Sequence, residues 1–383
     1  MINGRIPLAV PVVGAAEAAN LQACIDTTFV SSVGPFVTEF ERKVAEATGG
    51  IEAVATSAGT TGLHAALVAL GVERDDLVIC PSFTFIASAN AISHAGATPW
   101  LFDIDESWVI DLDQVEAALD RETERRGGDR IHTATGRRVA AMLPVLTLGN
   151  ASRPERLRAL AERFGLPVLV DAAAALGGDA WGEPIAALGE LAVISFNGNK
   201  IATAGGGGAV VGRDGDLLRE LRHLTTTARV SADYSHDRVG FNYRMTNLQA
   251  AVGCAQMDRL PDFVAAKRRI AARYAEALAD LPGIRGFPQT PGSNCWFSGV
   301  VLDAGAPMAA AELAARLNGD GIEARTFWKP VHLQAPYADA PRVTMDRCED
   351  LWSRIVTLPC STNLSDSDQG RVIAATRSAL GSA

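Results

Sequence analysis

The sequence predicts an α/β fold built on a largely parallel sheet. Three observations point there. Short apolar runs alternate with segments of helical spacing along most of the chain. With 383 residues, 48% of them hydrophobic, the chain can bury a large core and divides by length into two or three domains. The polar residues best suited to chemistry fall at or just past the ends of apolar runs, where open α/β sheets gather their sites.

Taken in order, Ile6–Val13 is an extended apolar run, and a helical pattern follows from Ala15 to about Thr27. The turn S-S-V-G-P (31–35) precedes a second helix decorated by Glu39, Arg42 and Lys43. Over Val54–Leu70 a strand meets T-S-A-G-T-T-G and then a helix. Free N–H groups and the helix dipole make such a turn an anion site. Gly59 permits close approach, and Thr60 and Thr61 add hydroxyls; an ordinary N-capped helix is the competing reading. His64, inside this helix, reads as packed. Leu77–Pro81 is a buried strand, and Phe85, just past its end, either stacks on a flat ring or fills the core.

Thr98–Asp103 is a strand and Leu112–Leu119 a helix, and the charged, glycine-containing stretch Glu122–Arg138 reads as an exposed connection. Val139–Leu146 and Pro167–Asp171 are strands flanking a helix at Arg153–Phe164. Ala192–Phe196 and Ala209–Val211 are two more strands, and Leu217–Leu224 a helix. A polar, mobile loop leads to Asn242, Tyr243 and Arg244 and then to a helix from about Thr246. On the long helix Leu260–Leu281, the run Lys267-Arg268-Arg269 reads as a solvated face. From Pro282 a smaller α/β unit is expected, with strands near Trp296–Leu302 and Ile322–Arg325 and helices at Ala309–Leu317 and Ser365–Leu380. The expected division is a large domain over 1–255 and a small one over 256–383.

The chemistry centres on I-S-F-N-G-N-K-I-A-T-A-G-G-G-G (194–208). One lysine, Lys200, lies between a buried run and four glycines, which allow another group to approach the backbone closely. Ser195 and Asn197 offer hydrogen bonds to an anion. Upstream, Leu166–Val170 runs into Asp171 and a series of small residues. An aldehyde cofactor needs those two groups: an amine to condense with it and a carboxylate to hold a pyridinium proton. A solvated loop lysine beside a glycine turn is the bland alternative.

Charged residues make up 21% of the chain and the net charge is −9, which gives no basic patch for nucleic acid. Six scattered cysteines form no C-x-x-C and no zinc spacing, as in a reduced, cytoplasmic protein with no metal site. The opening M-I-N-G-R-I-P-L lacks the basic-then-apolar pattern of a signal peptide, and no stretch is apolar enough for a membrane span.

Together these motifs resemble the DegT/DnrJ/EryC1/StrS family of pyridoxal-phosphate sugar aminotransferases over nearly the whole chain. S-F-N-G-N-K-I-A-T-A-G-G-G-G (195–208) is similar to the family's lysine motif, and D-A-A-A-A-L-G (171–177) to its cofactor-aspartate motif. G-F-N-Y-R-M-T-N-L-Q-A-A (240–251) is similar to its partner-subunit loop. V-S-S-V-G-P-F-V (30–37), H-L-Q-A-P-Y (332–337) and P-C-S-T-N-L (359–364) resemble the branch that aminates C4 of UDP-linked 4-keto-6-deoxy-N-acetylhexosamines, of legionaminic acid or bacillosamine type.

The resemblance implies the fold type I of pyridoxal-phosphate enzymes: a large domain with a mostly parallel sheet, a smaller C-terminal α/β domain, and a homodimer with shared active sites. It implies pyridoxal 5'-phosphate as cofactor, glutamate as amino donor and a nucleotide sugar as acceptor. Carried over, Lys200 holds the cofactor covalently and Asp171 pairs with its ring nitrogen. Phe85 stacks on the ring. Gly59, Thr60 and Ser195 bind its phosphate, with Asn242 arriving from the second subunit. Arg244 and Arg325 are the substrate candidates. Two positions depart from the family pattern: Ala174 replaces a polar residue, and Leu146 replaces a histidine. Three alternatives remain: a GDP- or dTDP-linked keto sugar or cyclitol ketone as acceptor, the related dehydratases (which carry histidine at the lysine position), and a non-catalytic regulatory or scaffolding relative.

Overall fold

The computed structural model describes residues 4–381. In chain order the first helices and strands are α1 (Ala15–Asp26), α2 (Pro35–Thr48), β1 (Glu52–Thr56), α3 (Gly59–Ala69), β2 (Leu77–Pro81), α4 (Ala87–His94), β3 (Thr98–Phe102) and α5 (Leu112–Glu122). Then come β4 (Thr123–Arg126), β5 (Asp129–His132), β6 (Arg137–Met142), α6 (Pro154–Phe164), β7 (Leu169–Asp171), β8 (Leu191–Ser195), β9 (Gly208–Gly212), α7 (Gly215–Thr225) and α8 (Asn247–Met257). The remainder holds α9 (Leu260–Leu278), β10 (Ile284–Gly286), β11 (Ser298–Leu302), α10 (Ala310–Gly319), β12 (Arg325–Thr326), α11 (Asp346–Leu351), β13 (Ile355–Leu358) and α12 (Asp366–Leu380).

The main sheet runs β1-β9-β8-β7-β6-β2-β3, its two halves joined by parallel bridges Met142–Val168 and Val145–Asp171. Within this order β9 runs against its neighbours, pairing antiparallel with both β1 and β8, and the β4–β5 pair adds antiparallel to the side of β6. Its strands are buried on both faces: Leu191 to Ile194 of β8 are at most 1% exposed. That is why they read as apolar runs rather than alternating ones, and each such aliphatic side chain contributes about 1.5–3 kcal/mol of burial. The covering helices start where the sequence supplies acceptors. Asp111 caps α5, Asp214 caps α7, and Thr246 with Gln249 forms a reciprocal cap on α8, each cap worth about 1 kcal/mol. The second sheet, β10-β11-β13-β12, is antiparallel throughout. The Ile6–Val13 run joins it to the rest of the chain: Ile6 bridges Ile322, and Leu8 O accepts from Cys360 N.

Three expectations need correction. Glu122–Arg138 is not a plain connection but contains the hairpin β4–β5. Gly127 and Gly128, at φ 61° and 100°, supply the two left-handed residues that a two-residue hairpin turn demands. Lys267 does not belong to a solvated face: it is 2% exposed, and its Nζ donates to the carbonyls of Trp296 (2.8 Å) and Cys360 (2.6 Å). Arg268 and Arg269 are exposed, as expected. The strand at Trp296–Leu302 begins only at Ser298, because Cys295 takes a left-handed φ of 57° and breaks the extended run ahead of it. Among the described residues no helix is long and apolar enough to cross a membrane.

Candidate active site

The carboxyl ends of β1, β2, β7 and β8 open onto one cavity of about 490 Å³. Gly59, Thr60, Phe85, Asp171, Ser195, Lys200 and Arg325 all line it, as do Leu146 and Ala174. Each arrives by a local rule. Gly59 and Thr60 open α3 directly after β1, and the first N–H groups of a helix have no partner within it. Ser195 ends β8, and a Cβ at position 59 would lie 3.2 Å from the Ser195 Cβ. The glycine tract has a packing reason: a Cβ on Gly208 would stand 2.6 Å from Gly59 N and 2.7 Å from Ala58 C. The tract therefore lets β9 press against the start of α3.

Asp171 ends β7, is 5% exposed, and is held at both oxygens. Its Oδ2 accepts from Ser88 Oγ at 2.7 Å, and its Oδ1 accepts from Ala173 N at 3.0 Å. Burial pushes its pKa up, while Ser88, the Ala173 amide and the charge of Lys200 pull it down. Lys200 follows β8 in the turn that begins at Asn197. Burial lowers its pKa to about 8, against the opposing influence of Asp171. Each group thus feels the other's charge across the cavity. The Lys200 Nζ lies 3.7 Å from the centroid of the Trp296 ring. Phe85 is 55% exposed at the cavity wall, its ring 6.0 Å from Trp328, so it is not a core residue.

Asn242 and Arg244 lie elsewhere, in a separate recess of about 530 Å³ shared with Ser32, Thr226, Arg229 and Val230. Arg244 Nη2 is 3.4 Å from Glu41 Oε1, and its Nε has no hydrogen-bond partner among the described residues. His64 is packed, as expected, against Phe241 and hydrogen-bonded to Tyr243. His332 of the H-L-Q-A-P-Y stretch is buried between Ser82 and Glu349, outside the cavity lining. Ser88, Trp296 and Trp328 were missed as site residues. The only sequence signal was for Ser88, three residues beyond Phe85 at a helix start.

An amine of lowered pKa, a buried carboxylate and an anion-binding helix start around one cavity are the donor set that a phosphorylated pyridine aldehyde requires. A profile of the DegT/DnrJ/EryC1/StrS aminotransferase family matches residues 11–377. The chain belongs to that family. EpsN of Bacillus subtilis (strain 168), whose provisional name is pyridoxal phosphate-dependent aminotransferase, is 34% identical over 380 residues, 97% of this chain and 95% of EpsN. The GDP-perosamine synthase of Caulobacter vibrioides is 36% identical over 376 residues, 97% of each chain. The crystal structure of a DegT DnrJ EryC1 StrS aminotransferase from Brucella abortus superposes with a TM-score of 0.87 at 30% identity, covering 96% of this chain and 95% of that one. The architecture is accordingly the fold type I expected of this aminotransferase family.

Proposed function

We propose that this aminotransferase moves an amino group from glutamate to C4 of a nucleotide-linked 4-keto-6-deoxy sugar, with pyridoxal 5'-phosphate as cofactor. The observation that carries this reading is the convergence of Lys200 and Asp171 on one cavity whose floor includes the start of α3. When bound, the cofactor supplies an electron-poor ring that takes up the charge left as a proton departs from the donor's α-carbon. Asp171 keeps a proton on the ring nitrogen, and Ser88 and the Ala173 amide hold that carboxylate in place. Gly59, Thr60 and Ser195 hold the phosphate, joined by Asn242 of the partner subunit. Phe85 covers the ring. Lys200 would hold the cofactor through its amine and, once the donor's amine displaces it from the aldehyde, the freed amine would move the proton from the donor's α-carbon, a task suited to an amine whose pKa lies near 8.

A homodimer follows from the same reading. Val33, Val230 and Val239 are 67%, 56% and 86% exposed, and Val230 lines the recess of Asn242 and Arg244. Exposed apolar side chains of this size suit a surface that a second copy covers. The division into domains over 1–255 and 256–383 accords with the two separate sheets.

For the acceptor, the motifs favour a UDP-linked N-acetylhexosamine. The kinship with a GDP-perosamine synthase supports a GDP-linked sugar as the second reading. Arg325, which lines the cavity in an ion pair with Glu323, would meet a substrate phosphate or carboxylate. A panel of UDP-, GDP- and dTDP-linked 4-keto sugars with glutamate, read by 2-oxoglutarate release, decides among them. Release with none of them refutes the sugar assignment. Lys200→Ala is expected to abolish both cofactor attachment and turnover, and normal activity in that variant refutes the mechanism.

A further inference from the structure

We propose that the loop from Gly292 to Phe297 is a brace that fixes Lys200 relative to Asp171, with Asn294 and Trp296 as positioning residues. The inference rests on the reading of Lys200 as the reactive amine. Trp296 grips the lysine twice. Its indole Nε1 donates to the Asn199 carbonyl at 2.8 Å, fixing the backbone just before Lys200. Its ring lies beneath the Nζ at 3.7 Å from the centroid, a cation–π arrangement that limits where the amine can rest.

Asn294 grips the other side. It is fully buried, and its Nδ2 donates to Ala174 O (2.8 Å) and Leu176 O (3.0 Å), in the segment that follows Asp171. Its Oδ1 accepts from Trp296 N at 3.1 Å. All the bonding capacity of this carboxamide nitrogen is used, and none of it on solvent. A continuous path therefore runs from the Asp171 loop through Asn294 and Trp296 to Asn199 and Lys200.

The loop is itself anchored from α9. Lys267 Nζ donates to Trp296 O, while Arg268 donates to Ser293 O (3.0 Å) and Gly292 O (3.1 Å). The fit leaves no slack: a Cβ on Gly149 would fall 2.1 Å from Asn294 Oδ1. The left-handed Cys295 between the two positioning residues is a conformation that non-glycine residues hold only where their surroundings over-determine it. Two groups that must act on opposite ends of one ring are sensitive to small displacements, and a shift of about 1 Å can cost about 100-fold in rate. A loop that merely packs two sheets together would instead affect stability and cofactor content.

The test uses the holoenzyme with Trp296→Phe, which keeps a ring and loses the Nε1 donor, and Asn294→Ala, which loses all three bonds. Cofactor content, thermal unfolding, visible circular dichroism of the bound cofactor, and kcat and KM for glutamate are measured together. Both variants are expected to bind cofactor fully, with kcat down about 10- to 100-fold and KM within about twofold, and with a changed dichroic band. The double variant should be no slower than the slower single one, because both act along one path. Unchanged kcat in Trp296→Phe overturns the proposal, and so does a loss of rate fully accounted for by lost cofactor or unfolded protein. Lys200→Ala run alongside separates the two failures: turnover without the lysine refutes the mechanism, whereas normal Trp296 and Asn294 variants refute the brace alone.

Discussion

Gly208→Ala tests how the glycine tract builds the anion end of the site. The added Cβ would stand 2.6 Å from Gly59 N and 2.7 Å from Ala58 C. Both neighbours are backbone, so no side chain can rotate away, and β9 and the start of α3 must part by roughly 1 Å, an overpacking that costs about 1–3 kcal/mol. If that strain is relieved by moving the N–H groups proposed to hold the cofactor phosphate, the cofactor dissociation constant rises about 5- to 160-fold. Equilibrium dialysis of pyridoxal phosphate against the cofactor-free protein measures it. Gly286→Ala, where nothing lies within 4 Å of the new atom, is the matched control. A Gly208→Ala protein that binds cofactor as tightly as the parent refutes the reasoning.

Other outcomes follow from the same geometry. Because burial lowers the Lys200 pKa to about 8, acylation of Lys200 in the cofactor-free protein should accelerate through pH 8, well below the range of an ordinary lysine, as read by mass spectrometry. Asp171→Asn removes the charge that opposes this shift, so the Lys200 transition should move to still lower pH; a move upward contradicts the assigned coupling. Lys267→Met leaves the Trp296 and Cys360 carbonyls without their charged donor, and chemical denaturation should show a loss of about 2–4 kcal/mol. Gly128→Ala strains a residue at φ 100° in the β4–β5 turn, so it should destabilise by about 1–2 kcal/mol while leaving kcat unchanged, since the hairpin does not line the cavity.

The parts of the site legible in the sequence are those made by consecutive residues. Asp171 and Ser195 end apolar strands, Gly59 and Thr60 begin a helix, and Lys200 stands in a turn before a glycine tract. A strand end or helix start announces itself within a few residues, and the sheet then gathers such ends. Ser88 gave no more than a helix-start signal, and Asn294 and Trp296 gave none, because their roles depend on partners far along the chain: Asp171 lies 83 residues from Ser88, and Asn199 lies 97 from Trp296. Lys267 misled for the same reason. A lysine followed by two arginines on a helix reads as solvated, and its burial depends on the Trp296 and Cys360 carbonyls, 29 and 93 residues away. The β4–β5 hairpin was hidden by its charge, although the Gly-Gly pair at its tip was a turn signal in plain view.

The account depends most on Lys200 being the residue that holds the cofactor. Borohydride reduction of the holoenzyme, followed by proteolysis and mass spectrometry, reads this directly. A pyridoxyl label on Lys200 alone is the predicted result. A label on any other lysine, or a chain that retains bound cofactor with no label at all, contradicts it.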